Sequence, residues 1–325
     1  MRQILIVFLF FISNGHANKV LYISIDGLRG DVVRTWGEKK LPNFYRFRNF
    51  GVFTDEARTD PEATYTLANH TSMLTGRHQG GKNGHQWRIN NYPAVRLNPL
   101  LTLHHNHYGY MFSVFDVVQQ QGYKSTLYAN KKKFIIYQRS WANKIDKFKA
   151  KNKLASIQRG WYKKYLKRIS SKPGAYNFLH LSNPDRAGHR YGWSLQKESQ
   201  YMQSVLKVDE LLGALFARVD LKQWVIILSS DHGGQLGTSS HSRHKNPQNF
   251  TIPFYVLGKG VAKGVDLYVI NQNVRKQPKA LENPGRASIL APIRNGDSAN
   301  LALSLLDLPA IPGSTINARQ NLRVK

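Results

Sequence analysis

Lys19-Val-Leu-Tyr-Ile-Ser-Ile-Asp26-Gly27 is the stretch on which the rest of the chain turns. Its short apolar run predicts a strand in the middle of a parallel sheet. The run stops at Gly27 and leaves Asp26 at its end. Strand ends in an open α/β sheet are where active sites gather.

Similar runs occur at 125–129 (Ser-Thr-Leu-Tyr-Ala), 175–182 (Ala-Tyr-Asn-Phe-Leu-His-Leu-Ser), 224–230 (Trp-Val-Ile-Ile-Leu-Ser-Ser) and 251–257 (Thr-Ile-Pro-Phe-Tyr-Val-Leu). Pro253 in the last predicts an edge or strand-start position, because proline cannot donate to the ladder. Between the runs, Val205, Val208, Leu211, Leu212, Leu215 and Phe216 recur at helical spacing within 197–218. Residues 113–121 predict a helix ended by Gly122, and 298–307 one capped by Asp297 and stopped by Pro309. The alternation gives the α/β class: a doubly wound, mostly parallel central sheet with helices on both faces. No internal repeat and no Pro/Ser-rich linker divides it, so residues 18–325 are expected to form one catalytic domain with insertions.

Residues 1–17 are expected to lie outside that domain. Met1-Arg2 is positive, Ile4 to Ile12 is apolar, and Gly15-His16-Ala17 supplies small residues at a cleavage site. This pattern predicts a secretory signal cut after Ala17. The apolar stretch is well short of the roughly 20 residues a membrane span needs. The expectation is an exported protein, periplasmic or secreted, without a transmembrane anchor.

The chain has no cysteine. That excludes a cysteine nucleophile, a cysteine zinc site and a formylglycine made from cysteine. Formal net charge is +28, which predicts attraction to polyanions. Residues 131–172 hold fifteen Lys/Arg against one acid, Asp146. Phe134, Tyr137, Trp141, Phe148, Trp161, Tyr162 and Tyr165 are interleaved there. The stretch reads as a basic helical insertion, either a solvated face or a docking surface for a polyanion or an anionic membrane.

Two more fragments repeat the logic of Asp26. Pro184-Asp185-Arg-Ala-Gly-His189 and Ser-Ser230-Asp231-His232-Gly-Gly234 each follow an apolar run. Carboxylate and imidazole are the ligands of a borderline divalent ion such as zinc. Three strand ends delivering them together predict a metal-centred hydrolase. Between the first two fragments, Thr64-Tyr-Thr66-Leu-Ala-Asn69-His70-Thr71-Ser72 is rich in hydroxyls and suits a helix beginning near Thr66. A nucleophile there would gain from the helix dipole and free backbone N–H groups. His70, His85 and His180 read as satisfied core or loop histidines rather than as catalytic groups.

The combination resembles the alkaline phosphatase superfamily, in its type I phosphodiesterase/nucleotide pyrophosphatase-like branch. Asp26-Gly, Thr66-Leu-Ala-Asn69-His70, Pro-Asp185-x-x-Gly-His189, Asp231-His232-Gly and a later histidine stand in that family's order, from about residue 19 to about residue 315. The resemblance implies two zinc ions. Asp26, Asp231 and His232 would hold one, beside the Thr66 hydroxyl; Asp185, His189 and His241 would hold the other, with His244 the rival for the last place. Thr66 would attack phosphorus and form a phosphothreonine, and Asn69 would donate to a phosphoryl oxygen. Thr64 sits two residues too early for the Thr-x-x-Asn-His pattern. Ala68 stands where relatives carry proline. Thr66-Leu-Ala-Asn69 and the absence of cysteine disfavour a formylglycine sulfatase.

The implied activity is cleavage of phosphodiester or nucleotide pyrophosphate bonds in an anionic phosphoester substrate. Alternatives are a phosphomonoesterase or phosphoryl-group transferase of the same superfamily, or a non-catalytic basic protein that binds polyanions.

Overall fold

The computed structural model describes residues 19–106, 109–157 and 160–325. The expected secretory signal, 1–17, lies outside the described residues. Eight strands form one sheet in the order β4-β3-β5-β1-β6-β7-β2-β8. They are β1 (Lys19–Ile25), β2 (Val52–Arg58), β3 (Ser125–Ala129), β4 (Lys147–Ala150), β5 (Tyr176–Leu181), β6 (Trp224–Ser229), β7 (Thr251–Gly258) and β8 (Val265–Asp266). From β4 to β6 every pairing is parallel; β7 runs against both β6 and β2.

Burial on both sides explains why the central strands are apolar runs. Alternate side chains of one strand point to opposite faces. Tyr22, Phe178 and Ile227 belong to one core, with Leu67 and Met73 of the helix Thr66–Thr75 and Leu301 of the helix Asp297–Leu305. Ile23, Leu179 and Leu228 belong to the other, with Phe44, Tyr165 and the apolar stripe of the helix Gln200–Phe216. That helix starts where the Ser199 hydroxyl accepts from the Met202 N–H.

Two expectations change. β7 is an interior strand, although it contains Pro253. Its pairing with β2 jumps from Thr54↔Phe254 to Ala57↔Ile252, so the proline faces an irregularity where a ladder donor is not required. Residues 131–172, expected to be helical, also contain β4, so part of the segment is the edge of the sheet. Phe134, Tyr137, Trp141, Trp161, Tyr162 and Tyr165 are buried in the cores and offer no stacking platform.

The sheet sends its parallel ends to one rim. Asp26 follows β1, Asp231 follows β6, and Asp185 lies in the helix Asn183–Tyr191 directly after β5. β2 runs in the same sense as β6, because both oppose β7, so its Arg58 end reaches that rim too.

Candidate metal centre and active site

Two buried groups of ligand atoms converge at the rim: Asp26, Asp231 and His232, and Asp185, His232 and His241. His232 Nε2 stands 3.3 Å from Asp26 Oδ1, 3.4 Å from Asp231 Oδ2 and 3.9 Å from Asp185 Oδ1. His189 joins the second group from the half-exposed side. Its Nε2 is 3.3 Å from Asp185 Oδ1 and 3.1 Å from His241 Nε2, and His241 Nε2 is 3.6 Å from Asp185 Oδ1. His241 rather than His244 turns its ring towards Asp185.

The donor set fits metal ions. Asp26 Oδ1, Asp185 Oδ1, Asp231 Oδ2 and His232 Nε2 are buried and have no hydrogen-bond partner. Buried polar atoms are rarely left so, and an ion is one reason. The tautomers agree. His189 Nδ1 lies 2.8 Å from the Ser239 carbonyl, His232 Nδ1 2.9 Å from the Gly233 carbonyl and His241 Nδ1 2.6 Å from the Thr64 carbonyl. A carbonyl can only accept, so each Nδ1 carries a proton and each Nε2 is the ring atom that faces the cluster. His189 and His241 meet Nε2 to Nε2 at 3.1 Å, so a proton or a metal ion lies between them.

Electrostatics points the same way. Three carboxylates share a buried space, and burial, with the charge of Asp26, pushes Asp231 up to about 8. Lys131 partly compensates. Its Nζ lies 2.5 Å from Asp26 Oδ2 and 2.6 Å from Asp185 Oδ2. Burial opposes its charge, but the Asp185 and Asp26 carboxylates outweigh that and raise its pKa. The same ammonium lies 3.3 Å from Thr66 Oγ1. Thr66 is the first residue of its helix, so its hydroxyl stands at the positive end of the helix.

The site is braced from behind. His180, inside β5, lies 2.9 Å from Asp26 Oδ2 through Nε2. His70 bonds the Thr66 carbonyl through Nδ1 and Ser24 through Nε2. Trp193 is buried against three glycines. A methyl carbon added at Gly27, Gly188 or Gly234 would stand 2.8, 2.5 or 1.9 Å from the indole. Each glycine adjoins a ligand or lies two residues from one, so the indole packs on all three ligand-bearing turns.

Asn69 is buried behind the start of the helix. Its Oδ1 accepts from the Asp60 N–H and from Asn295 Nδ2, both at 3.0 Å, and its Nδ2 donates to the Ala63 carbonyl at 2.9 Å. With both ends engaged and the side chain buried, it holds the approach to the helix. Asn90 stands nearer the nucleophile: its Oδ1 accepts from the Leu67 N–H at 3.0 Å and from Lys133 Nζ at 2.9 Å.

Lys131, Trp193 and Asn90 are the residues that sequence reasoning missed, and His180, read there as a satisfied histidine, braces Asp26. Lys131 had a readable signal, since it follows the apolar run of β3 as Asp26 follows β1. It was hidden among neighbouring lysines.

The family model for type I phosphodiesterase/nucleotide pyrophosphatase matches residues 20–245. No curated protein matches the chain. Among solved structures, a Vibrio parahaemolyticus protein of the alkaline phosphatase superfamily superposes with a TM-score of 0.61 at 15% identity, over 95% of this chain and 71% of that one. An inactive murine ectonucleotide pyrophosphatase/phosphodiesterase 5, in complex with AMP, gives 0.58 at 17% identity, over 94% and 100%. A Bacteroides thetaiotaomicron protein of glycosaminoglycan metabolism gives 0.59 at 14% identity, over 90% and 73%. At these identities the likeness is one of fold, the α/β fold expected from the sequence.

Proposed function

The chain belongs to the type I phosphodiesterase/nucleotide pyrophosphatase family, and from that premise we propose a two-zinc hydrolase that works through a phosphothreonine on Thr66. Family membership supports a phosphodiesterase- or pyrophosphatase-type hydrolase of the alkaline phosphatase superfamily. The observation that carries the finer reading is the set of four unpartnered ligand atoms, on Asp26, Asp185, Asp231 and His232, at the site where Lys131 reaches the Thr66 hydroxyl.

Asp26, Asp231 and His232 would hold one ion, and Asp185, His189 and His241 the other. Bound zinc supplies Lewis-acid screening of phosphoryl charge and eases deprotonation of a hydroxyl near neutral pH. The chain's own residues do the rest. The helix N-terminus orients the Thr66 hydroxyl for in-line attack on phosphorus. The bond to the leaving alcohol or nucleotide breaks as the Thr66 Oγ–phosphorus bond forms, and water then opens the phosphothreonine. Lys131 adds a fixed positive charge where phosphoryl charge develops.

The substrate reading is a phosphodiester or nucleotide pyrophosphate, and the AMP held by the murine neighbour is of that chemistry. One observation favours a second reading, a phosphomonoester. Lys131 is joined by Lys133, whose pKa burial and the Lys131 charge bring down to about 7. The Lys131 ammonium and, when protonated, Lys133, which donates to Asn90 near the helix start, suit a fully charged terminal phosphoryl group. The lysines of the β4 edge add a wider field: Lys149 is depressed by burial and by Lys151, Lys164 and Lys147, and that field would concentrate a polyanion.

We place residues 18–325 in one catalytic domain and the protein outside the cytoplasm, on the strength of 1–17. No helix among the described residues is long and apolar enough to cross a membrane.

The test is turnover of bis-p-nitrophenyl phosphate and p-nitrophenyl-TMP by zinc-loaded protein. Thr66→Ala is expected to cut turnover by at least about 10³-fold. Undiminished turnover in that variant would remove Thr66 as the nucleophile.

A further inference from the structure

Residues 276–291 form a loop on the catalytic rim whose construction the hydrolase chemistry does not use. Ile289 is 101% exposed and Leu281 80% exposed, and Leu290 is exposed beside Ile289. Two buried arginines hold the loop in shape. Arg58 donates to the Glu282 carbonyl at 2.8 Å and to the Lys279 carbonyl at 3.1 Å. Arg294 donates to Asn283 Oδ1 at 2.8 Å and to the Pro284 carbonyl. Buried guanidinium groups are costly unless satisfied. Here they bind the backbone of a loop whose large apolar side chains point to water.

Cations flank the apolar ridge on both sides. Ile289 and Leu290 wall a cleft of about 400 Å³ with Lys276 and Lys279. They also wall a second cleft of about 440 Å³ with Arg286 and Arg319. Of these four, Arg286 is paired with Glu62, and Lys279 lies 4.0 Å from Glu282. An apolar ridge between surface cations matches the acyl region and the phosphates of an anionic bilayer. The overall charge of +28 acts in the same direction.

We propose that the loop 276–291 is a docking surface for an anionic lipid bilayer. Leu281, Ile289 and Leu290 enter the acyl boundary, and Lys276, Lys279 and Arg319 meet the headgroup phosphates. The loop shares the rim with the metal centre. Arg58 ends β2 there, and Asn295, next to Arg294, donates to the Ser230 carbonyl at 3.2 Å beside Asp231. Docking therefore turns the catalytic face towards the lipid. The proposal stands independently of the hydrolase reading, because it predicts binding and not turnover.

The test is co-sedimentation of the mature protein, residues 18–325, with vesicles of phosphatidylglycerol and phosphatidylcholine, against phosphatidylcholine alone. Wild type is expected to bind the anionic vesicles and to keep part of that binding at ~0.5 M salt, where Coulomb attraction is largely screened. Leu281→Asp with Ile289→Asp is expected to weaken binding by about tenfold or more at low salt. Lys147→Glu with Lys149→Glu, on the β4 edge, is expected to weaken it by less than about threefold, since only general attraction is reduced. Both replaced apolar side chains are exposed, so the melting temperature should not move and would report any folding defect. The proposal falls if the apolar pair variant binds like wild type. It falls equally if the β4 variant loses as much, or if wild type binds no anionic vesicles, in which case a protein partner is the better occupant.

Discussion

The ammonium nitrogen of Lys131 lies 2.5 Å from Asp26 Oδ2 and, from the same position, 3.3 Å from the Thr66 hydroxyl. One side chain thus spans a proposed metal ligand and the proposed nucleophile. If it also meets substrate, its removal must depend on phosphoryl charge. Lys131→Ala is expected to lower kcat/KM for p-nitrophenyl phosphate at least about tenfold more than for bis-p-nitrophenyl phosphate. Equal losses on the two esters would show that Lys131 serves only the carboxylates.

Metal removal should cost stability as well as activity. Asp26, Asp185 and Asp231 crowd together with Lys131 and His232 as nearby countercharges. Chelation is expected to lower the melting temperature by about 5 °C or more, because a ligand well above its Kd contributes a few kcal/mol. Zinc added back should restore both. A melting curve unmoved by chelator, in protein shown to contain zinc beforehand, would contradict a buried ligand role.

His85 predicts an acid limb in stability. Burial holds its pKa down to about 3, from an ordinary 6.5. Its neutral form is fixed, since Nδ1 accepts from the Trp87 N–H while Nε2 meets the Ser72 hydroxyl. Between those two values the unfolded chain binds a proton that the fold refuses. Stability therefore falls as pH drops through about 6.5 and levels off near 3. His85→Gln should flatten this part of the profile in urea titrations of metal-free protein at a series of pH values. An unchanged slope would assign the acid limb to other groups.

Gly234→Ala tests the packing behind the ligands. The added carbon would stand 1.9 Å from the Trp193 ring, a clash that the indole must yield to. A loss of about 1–3 kcal/mol is expected, with reduced zinc content. Trp193→Leu in the same chain should recover part of the stability. No recovery would mean that the strain lies in the backbone.

Much of this architecture is legible in the chain because its signals are local. β1, β5 and β6 are buried on both faces, so their sequences are continuous apolar runs, and Asp26 and Asp231 are found simply by where the runs stop. Asp185 and His189 lie on one helix four residues apart, a spacing that places them on one side. What a polar side chain faces is a different matter. Asn69 sits three residues after Thr66 yet turns to Asp60 and Ala63, and Asn90 comes beside the helix from a distant loop. Lys131 is chemically identical to exposed Lys132 until β3 and β1 are brought together by β5. Pro253 is tolerated inside the sheet only because β2 is irregular opposite it. Each of these depends on a partner segment that no window of sequence contains.

Trp193 has a consequence for how this site changes over time. Gly27, Gly188 and Gly234 belong to three separate segments, yet one indole fixes the depth of all three. A substitution that enlarges any of them shifts ligands on the other two. Variants selected for another metal should therefore arrive as linked changes, with position 193 and a glycine altering together, and relatives that lack the tryptophan should have lost the constraint on small residues at all three places.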